Sequence, residues 1–345
     1  MPAKLRMALI GCGTWGQSHA KLYYEDPRVE LAAVCDIVPE KAAAAAKITR
    51  LRPDQAYTDY RKMLDEVSCD AVAVVTPDFA HAEYVIECAK RGRHVLIEKP
   101  LATAKADADA MMKAIREHKV RAMVDFHNRW NPPFALMKAQ ILAGEIGTPY
   151  SGYLRLNDQQ WVATRMLSWA AKSSILWFLG SHATDTLRWL FEDEVDTVYA
   201  VSRSGILKEL GVDTVDMYQY TYTFRNGCIA QVENGWITPN SNLGVNDFKC
   251  NILGTKGMYN LDLSNHNLIQ RYGDAAATPD ILVNNFVRET AAGFAYQSIR
   301  HFVDCMISGE PFYVSMEDAY NNTITLLHVF ESARLGRPVK VEGLI

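Results

Sequence analysis

The stretch from Met7 to Gly16, Met-Ala-Leu-Ile-Gly-Cys-Gly-Thr-Trp-Gly, limits this chain more than any other part of it: an apolar run, then G-x-G-x-x-G, then a helical pattern. A short apolar run in this context reads as a strand, and each glycine behind it has its own task. Gly11 permits a tight turn, Gly13 lets the main chain approach a bound anion, and Gly16 lets the helix pack closely on the strand. The result is a helix N-terminus aimed at a pyrophosphate, with Cys12, Thr14 and Trp15 completing the turn. Asp36 ends the next apolar run, about 20 residues on, where a carboxylate accepts hydrogen bonds from the adenosine ribose of a dinucleotide. Ile37-Val38-Pro39 follows, with no Arg to neutralise a 2′-phosphate, so the expected cofactor is NAD in preference to NADP.

Up to residue 125, strand-like runs at 7–10, 31–35, 71–75, 94–97 and 120–126 alternate with amphipathic stretches such as 80–90. Such alternation means crossover units and a parallel sheet covered on both faces. After Pro132-Pro133 the pattern becomes one or two helices, then period-2 runs at 195–201, 217–224, 228–237, 248–253 and 267–272. Turn signals at Arg225-Asn226-Gly227 and Gly254-Thr255-Lys256-Gly257 separate some of them, which argues an antiparallel or mixed sheet. Helical patterns at 291–308 and 316–335 close the chain. The expected fold is α/β: a Rossmann dinucleotide-binding domain over 1–125, then an α+β domain over 126–345 with an open, mainly antiparallel sheet.

Composition narrows the function classes. Lys+Arg number 36 against 40 Asp+Glu, a net charge of -4 that supplies no cation excess for nucleic acid. With 49% hydrophobic and 22% charged residues the chain is neither disordered nor, lacking an apolar run of roughly 20 residues, membrane-spanning. No signal peptide is read at the N-terminus, and the seven scattered cysteines contain no Cys-x-x-Cys, so a reducing cytoplasm is expected. No metal is expected, because His182-x-x-Asp185 alone supplies too few ligands. A serine nucleophile would need a G-x-S-x-G elbow, which is absent.

Read alone, Glu98-Lys99 at the end of a strand is a solvated pair, and His182 is either a packed helix histidine or a site residue. Their neighbours say more. Thr76-Pro77-Asp78-x-x-His81, Glu98-Lys99-Pro100, Val124-Asp125-Phe126-His127-Asn128-Arg129-Trp130-Asn131-Pro132, Gly180-Ser181-His182-x-x-Asp185 and Gly254-Thr255-Lys256-Gly257 follow the glycine loop in this order. Over essentially its whole length the chain resembles the Gfo/Idh/MocA family of oxidoreductases, which includes inositol dehydrogenases and glucose-fructose oxidoreductase. The resemblance implies hydride transfer between a nicotinamide and a hydroxyl-bearing carbon of a sugar, inositol or sugar derivative. It also implies a C-terminal sheet that forms oligomer interfaces, hence a homodimer or homotetramer. Lys99 matches the family's catalytic lysine and His182 the histidine that contacts the reacting hydroxyl. Thr76, Pro77, His81 and Glu98 are placed along the cofactor with Lys99. Two other activities occur among relatives: an NAD-retaining enzyme processing glycosides or sugar nucleotides, and a catalytically silent NAD-binding regulator.

Four further residues, Arg129, Asp185, Trp161 and Phe178, are candidate substrate contacts. Arg129 is a substrate anchor or an ion pair at the domain junction. Asp185 orients His182, binds a substrate hydroxyl, or is simply a helix-face acid. Many family dehydrogenases carry an Asp four residues before the histidine, where this chain has Phe178. Trp161, Trp169 and Trp177 are expected around Phe178, as core packing or as a stacking wall for substrate.

Overall fold

The computed structural model describes residues 4–264, 269–273, 276–279, 281–288 and 290–345. The chain begins with β1 (Leu5–Ile10), α1 (Thr14–Glu25), β2 (Val29–Cys35), α2 (Pro39–Ile48), β3 (Ala56–Tyr57), α3 (Tyr60–Glu66), β4 (Ala71–Val74), α4 (His81–Lys90), β5 (His94–Ile97), α5 (Lys105–Glu117) and β6 (Ala122–Val124). It continues with α6 (Pro132–Leu142), β7 (Pro149–Gln159), α7 (Ser181–Phe191), β8 (Val195–Arg203), α8 (Ile206–Glu209), β9 (Met217–Phe224), β10 (Ile229–Thr238), β11 (Asn246–Gly254) and β12 (Met258–Asp262). The hairpin β13 (Asn285–Val287) and β14 (Thr290–Ala292), then α9 (Phe294–Ser308), α10 (Met316–Leu335) and β15 (Val339–Lys340), complete it. Two compact units result, one of residues 1–127 with 282–320, the other of 128–281 with 321–345.

The first unit is built on a six-stranded sheet in the order β3-β2-β1-β4-β5-β6, and every pairing in it is parallel. Its inner strands are mostly apolar, and the Ala-Val-Ala-Val of β4 is fully buried, because helices cover both faces. From β1 the chain winds outward through β2 and β3, then returns to lay β4 on the other side of β1. That reversal leaves a crevice at the carboxyl ends of β1 and β4, where open α/β sheets bind ligands. The helix α9 and the hairpin β13–β14 belong to this same unit.

The second unit holds a seven-stranded sheet, β12-β11-β7-β10-β9-β8-β15, antiparallel throughout except where β7 runs parallel to β10. In β9 the side chains of Tyr218, Tyr220, Tyr222 and Phe224 point inward and those between them outward, the period of two that the sequence pattern carries. The helix α7 covers this inner face: Phe191 packs edge-on against Phe224 at 4.9 Å, and the Thr184 hydroxyl meets that of Tyr222 at 2.9 Å.

Several segments depart from the expected elements, among them residues 291–292, which lie in β14 ahead of a helix that starts at Phe294. β7 lies where only helices were expected before residue 195, and its last residues, Asn157, Asp158 and Gln159, are polar yet buried. Asn157 donates to Glu233 (2.7 Å), Gln159 to the Asn242 carbonyl (2.7 Å), and Asp158 accepts from Asn246, so tertiary pairing overrides local polarity. The turn at Gly254–Gly257 leads into β12, which pairs with β11. The strand expected at 267–272 lies partly outside the described residues, and Arg271 makes only an isolated bridge to Ala277. All seven cysteines are free and buried, and no described helix is long and apolar enough to cross a membrane.

Candidate active site

In the first unit the glycine loop has the shape its spacing demands. Gly11 has φ +96°, and a Cβ there would meet the Val75 carbonyl oxygen at 2.1 Å; one on Gly16 would meet the Gly11 oxygen at 2.0 Å. At Gly13 nothing lies within 4 Å of the corresponding position, which leaves the start of α1 open. Gly13 is also the helix N-cap and offers no side-chain cap, so first-turn amides remain for a bound pyrophosphate. Asp36 is half-buried beside the loop, its Oδ2 accepting from the Cys12 N–H (2.7 Å) and its Oδ1 from the Val38 N–H (2.9 Å). Each carboxylate oxygen keeps a lone pair, enough to receive a ribose diol. These residues fit a dinucleotide. The Cys12 thiol is buried and pushed up to about 12, so it stays protonated and inert there.

Thr76 and Pro77 follow β4 on this edge, while Glu98, Lys99 and Pro100 follow β5. His81 is fully buried with Nδ1 at 2.8 Å from the Pro100 carbonyl oxygen and Nε2 at 3.1 Å from that of Thr76, so it braces these two turns against each other. Glu98 is nearly buried and Lys99 half-buried. The Trp15 indole N–H donates to Glu98 Oε1 at 2.7 Å, and His19 Nε2 faces the same oxygen at 3.2 Å. Burial works to raise the Glu98 carboxyl, but the hydrogen bond from His19 and the electrostatic pull of the surrounding groups, Lys99 among them, outweigh it and hold it at about 2.

Sequence reasoning singled out Trp15, Glu98 and Lys99 here and missed the groups around them. Trp15 stacks on Tyr296 of α9 at 5.7 Å, and His127 packs between Trp15 (6.4 Å) and Phe294 (5.6 Å). Burial drives the His127 imidazole down to about 4 against the pull of Glu98. His19, Glu98 and Asp125 bring one polar atom each to within 4.8 Å of one another. The spacing of Trp15, His19 and Tyr23 along one face of α1 is the one local signal that could have found this cluster.

In the second unit Arg129 and Asp185 meet each other. The guanidinium donates through Nε to Oδ2 (3.0 Å) and through Nη2 to Oδ1 (2.6 Å), and both side chains are buried. The pair lies within one unit, and it ties the turn after residue 128 to α7. His182, three residues before Asp185 on α7, is buried at 5% exposure. Phe178 is half-buried in a π-helical turn, Leu176–Gly180, so the simple one-turn spacing to His182 is loosened there. Its aromatic neighbours are Trp169 at 6.3 Å and Trp236 at 5.7 Å. Trp177 instead turns to Phe330 at 5.0 Å, and the Trp161 indole donates to Gln159 at 2.6 Å. Trp236, fully buried on β10, is the ring that sequence reasoning missed.

Comparison with known proteins agrees with this geometry. Residues 5–126 match the family described as "Oxidoreductase family, NAD-binding Rossmann fold", and residues 134–260 match the "GFO/IDH/MocA C-terminal domain". The chain is 26% identical to the scyllo-inositol 2-dehydrogenase (NAD(+)) of Bacillus subtilis, over 99% of this chain and 98% of that protein. It is 31% identical to the levoglucosan dehydrogenase of Pseudarthrobacter phenanthrenivorans, over 73% of this chain and 72% of that one. The crystal structure of scyllo-inositol dehydrogenase from Lactobacillus casei with bound NAD(H) and scyllo-inositol shares the fold with a TM-score of 0.81, at 18% identity over 98% of this chain and 99% of that one. A cradle for a dinucleotide, a Glu-Lys-Pro turn at the carboxyl edge of the sheet and similarity across both units lead to one conclusion: the chain belongs to the Gfo/Idh/MocA family of NAD-binding oxidoreductases.

Proposed function

We propose that this protein is an NAD-dependent dehydrogenase that moves a hydride between nicotinamide and the hydroxyl-bearing carbon of a sugar, inositol or sugar derivative. The observation that carries the reading is Lys99, half-buried at the carboxyl end of β5 on the edge where the Rossmann crevice opens, directly after an ionised Glu98. Bound NAD supplies the hydride acceptor. The chain's own part is the proton: an alcohol that loses a hydride must also lose a proton, and an amine within hydrogen-bond reach takes it. Lys99 has that role here, and His182 holds the reacting hydroxyl. The names of the inositol, levoglucosan and other sugar dehydrogenases among its relatives support the substrate class.

Asp36 supports NAD over NADP, since its carboxylate repels a 2′-phosphate. Lys41 on the first turn of α2 exerts a positive charge at Cys12 and moderates the discrimination. Because Arg129 and Asp185 engage each other, we assign them to holding α7 and His182 in place, and give the substrate wall to Phe178 with Trp169 and Trp236. An apolar ring where many relatives carry an acid suits a substrate with an apolar or deoxy face. We place the protein in the cytoplasm as a homodimer or homotetramer. The free buried thiols support the compartment, and the exposed Tyr199, Val201, Ile229 and Leu253 on one face of the seven-stranded sheet support self-association. A panel of inositols, sugars and sugar acids offered with NAD and with NADP, read by absorbance of the reduced nicotinamide, tests the function. Turnover with NAD on at least one is expected.

A further inference from the structure

β5 and β6 end side by side, Ile97 opposite Val124, so the residues that follow along this edge include two carboxyls, Glu98 and Asp125. Donors are distributed unequally between them. Glu98 receives the Trp15 indole N–H and faces His19 Nε2. The Tyr23 hydroxyl lies 3.2 Å from His19 Nδ1, which suits the tautomer whose Nε2 carries the hydrogen and donates it to Glu98. Asp125 is fully buried, yet its Oδ2 has no hydrogen-bond donor among the described residues. Its Oδ1 lies 2.5 Å from the Ser298 hydroxyl of α9, which also lies 2.9 Å from the Ala295 carbonyl oxygen. Ser298 owns one hydrogen for those two acceptors. If it serves the carbonyl, Asp125 must be the donor.

A fully buried carboxylate with at most one donor is unfavourable, and two carboxylates this close do not both ionise. The donors choose Glu98 as the charged member. We propose that Asp125 is a positioning residue that carries a proton: as a neutral acid beside the Glu98 carboxylate, it leaves the pair with one negative charge near Lys99 instead of two. This rests on the assignment of Lys99 to proton handling. A second negative charge would hold the Lys99 ammonium against giving up its proton, so a neutral Asp125 keeps that amine able to exchange it.

The other groups that face Asp125 agree. Burial, and then the charge of Glu98, push Asp125 well above the usual carboxylate range, while Ser298 and Lys99 act the other way. His127, its Nδ1 at 4.0 Å, is kept neutral by burial, and the buried Tyr23 phenol is pushed up and neutral as well.

Asp125→Asn keeps the shape and the neutrality, so three measurements on the full-length protein decide the matter. The infrared band of a protonated carboxyl should be present in the parent and lost in the variant. The variant should gain in melting temperature over the parent as pH rises from about 5 to 8, because the parent must retain a proton that its unfolded chain releases. The pH at which Lys99 becomes reactive toward a neutral amine reagent, with Lys99→Ala as blank, should stay within about 0.3 unit. Absence of the band in the parent, a variant that melts lower at neutral pH, or a fall of about one pH unit in Lys99 reactivity would overturn the proposal. So would a stoichiometric divalent metal in the purified parent that the variant lacks. None of these readouts needs turnover, so an enzyme silent on every polyol would count against the dehydrogenase reading alone.

Discussion

The Trp15 indole donates to Glu98 Oε1 across 2.7 Å, which fastens the first turn of α1 to the turn that carries Lys99. The loop that cradles the pyrophosphate and the amine assigned to the proton are thereby held as one piece. Trp15→Phe keeps a smaller aromatic ring against Tyr296 and removes this charge-assisted bond. It should destabilise the protein by about 1.5 to 3 kcal/mol in urea unfolding. A variant as stable as its parent would show that water replaces the indole without loss.

Asp36 accepts from two main-chain amides and has capacity left for a ribose. A 2′-phosphate brought to it is a like-charge contact of about 1 to 3 kcal/mol, so kcat/KM should favour NAD over NADP by roughly 10 to 200-fold. Asp36→Ser should narrow that ratio. Equal efficiency with both cofactors in the parent would sink the assignment.

The buried bidentate pair of Arg129 and Asp185 makes a different prediction. Removing either partner leaves an uncompensated charge, so Arg129→Ala and Asp185→Ala should each cost about 3 to 5 kcal/mol of stability. The double variant should lose less than the sum, a coupling that a double-mutant cycle reads directly. Additive losses would mean that each side chain works independently.

His127 gives the protein a pH dependence of known sign. Its imidazole titrates near 4 in the folded protein and near 6.5 unfolded, so the unfolded chain binds the extra proton first as pH falls. Stability is full above about pH 6.5 and should decline by about 3 kcal/mol on going down to about pH 4 through this one group. His127→Asn should flatten that part of the curve relative to the parent, measured by denaturant midpoints at each pH. An unchanged slope would place the histidine in water.

Much of this was readable before any coordinates, and the reasons are physical. β1, β2, β4 and β5 are apolar over most of their length because both faces of their sheet are covered, so their runs stand out. The glycine spacing survives as a motif because Gly11 and Gly16 each touch main chain that a methyl group would hit. β7 was invisible because its inner end is polar and hydrogen-bonds to Glu233 and Asn242, far away in sequence. Nor does anything local to α9 tell which unit it joins; its place is set by contacts such as Ser298 to Asp125. The same is true of the site. Lys99 and His182 were found through their flanking motifs, whereas His19 and Asp125 become notable only once burial brings them to Glu98. Arg129 and Asp185 each left several roles open until the structure showed each to be the other's partner.

Lys99 is assigned the proton of an NAD-linked alcohol oxidation, and comparison of the parent with Lys99→Ala checks that assignment. On whichever polyol the parent oxidises, steady-state rates and NAD titration calorimetry are measured for the parent and for Lys99→Ala. A kcat lower by roughly 100-fold or more with NAD affinity little changed is expected, because the amine is assigned to proton transfer and not to anchoring the cofactor. A variant that keeps its kcat, or one that loses activity only because it no longer binds NAD, would contradict it.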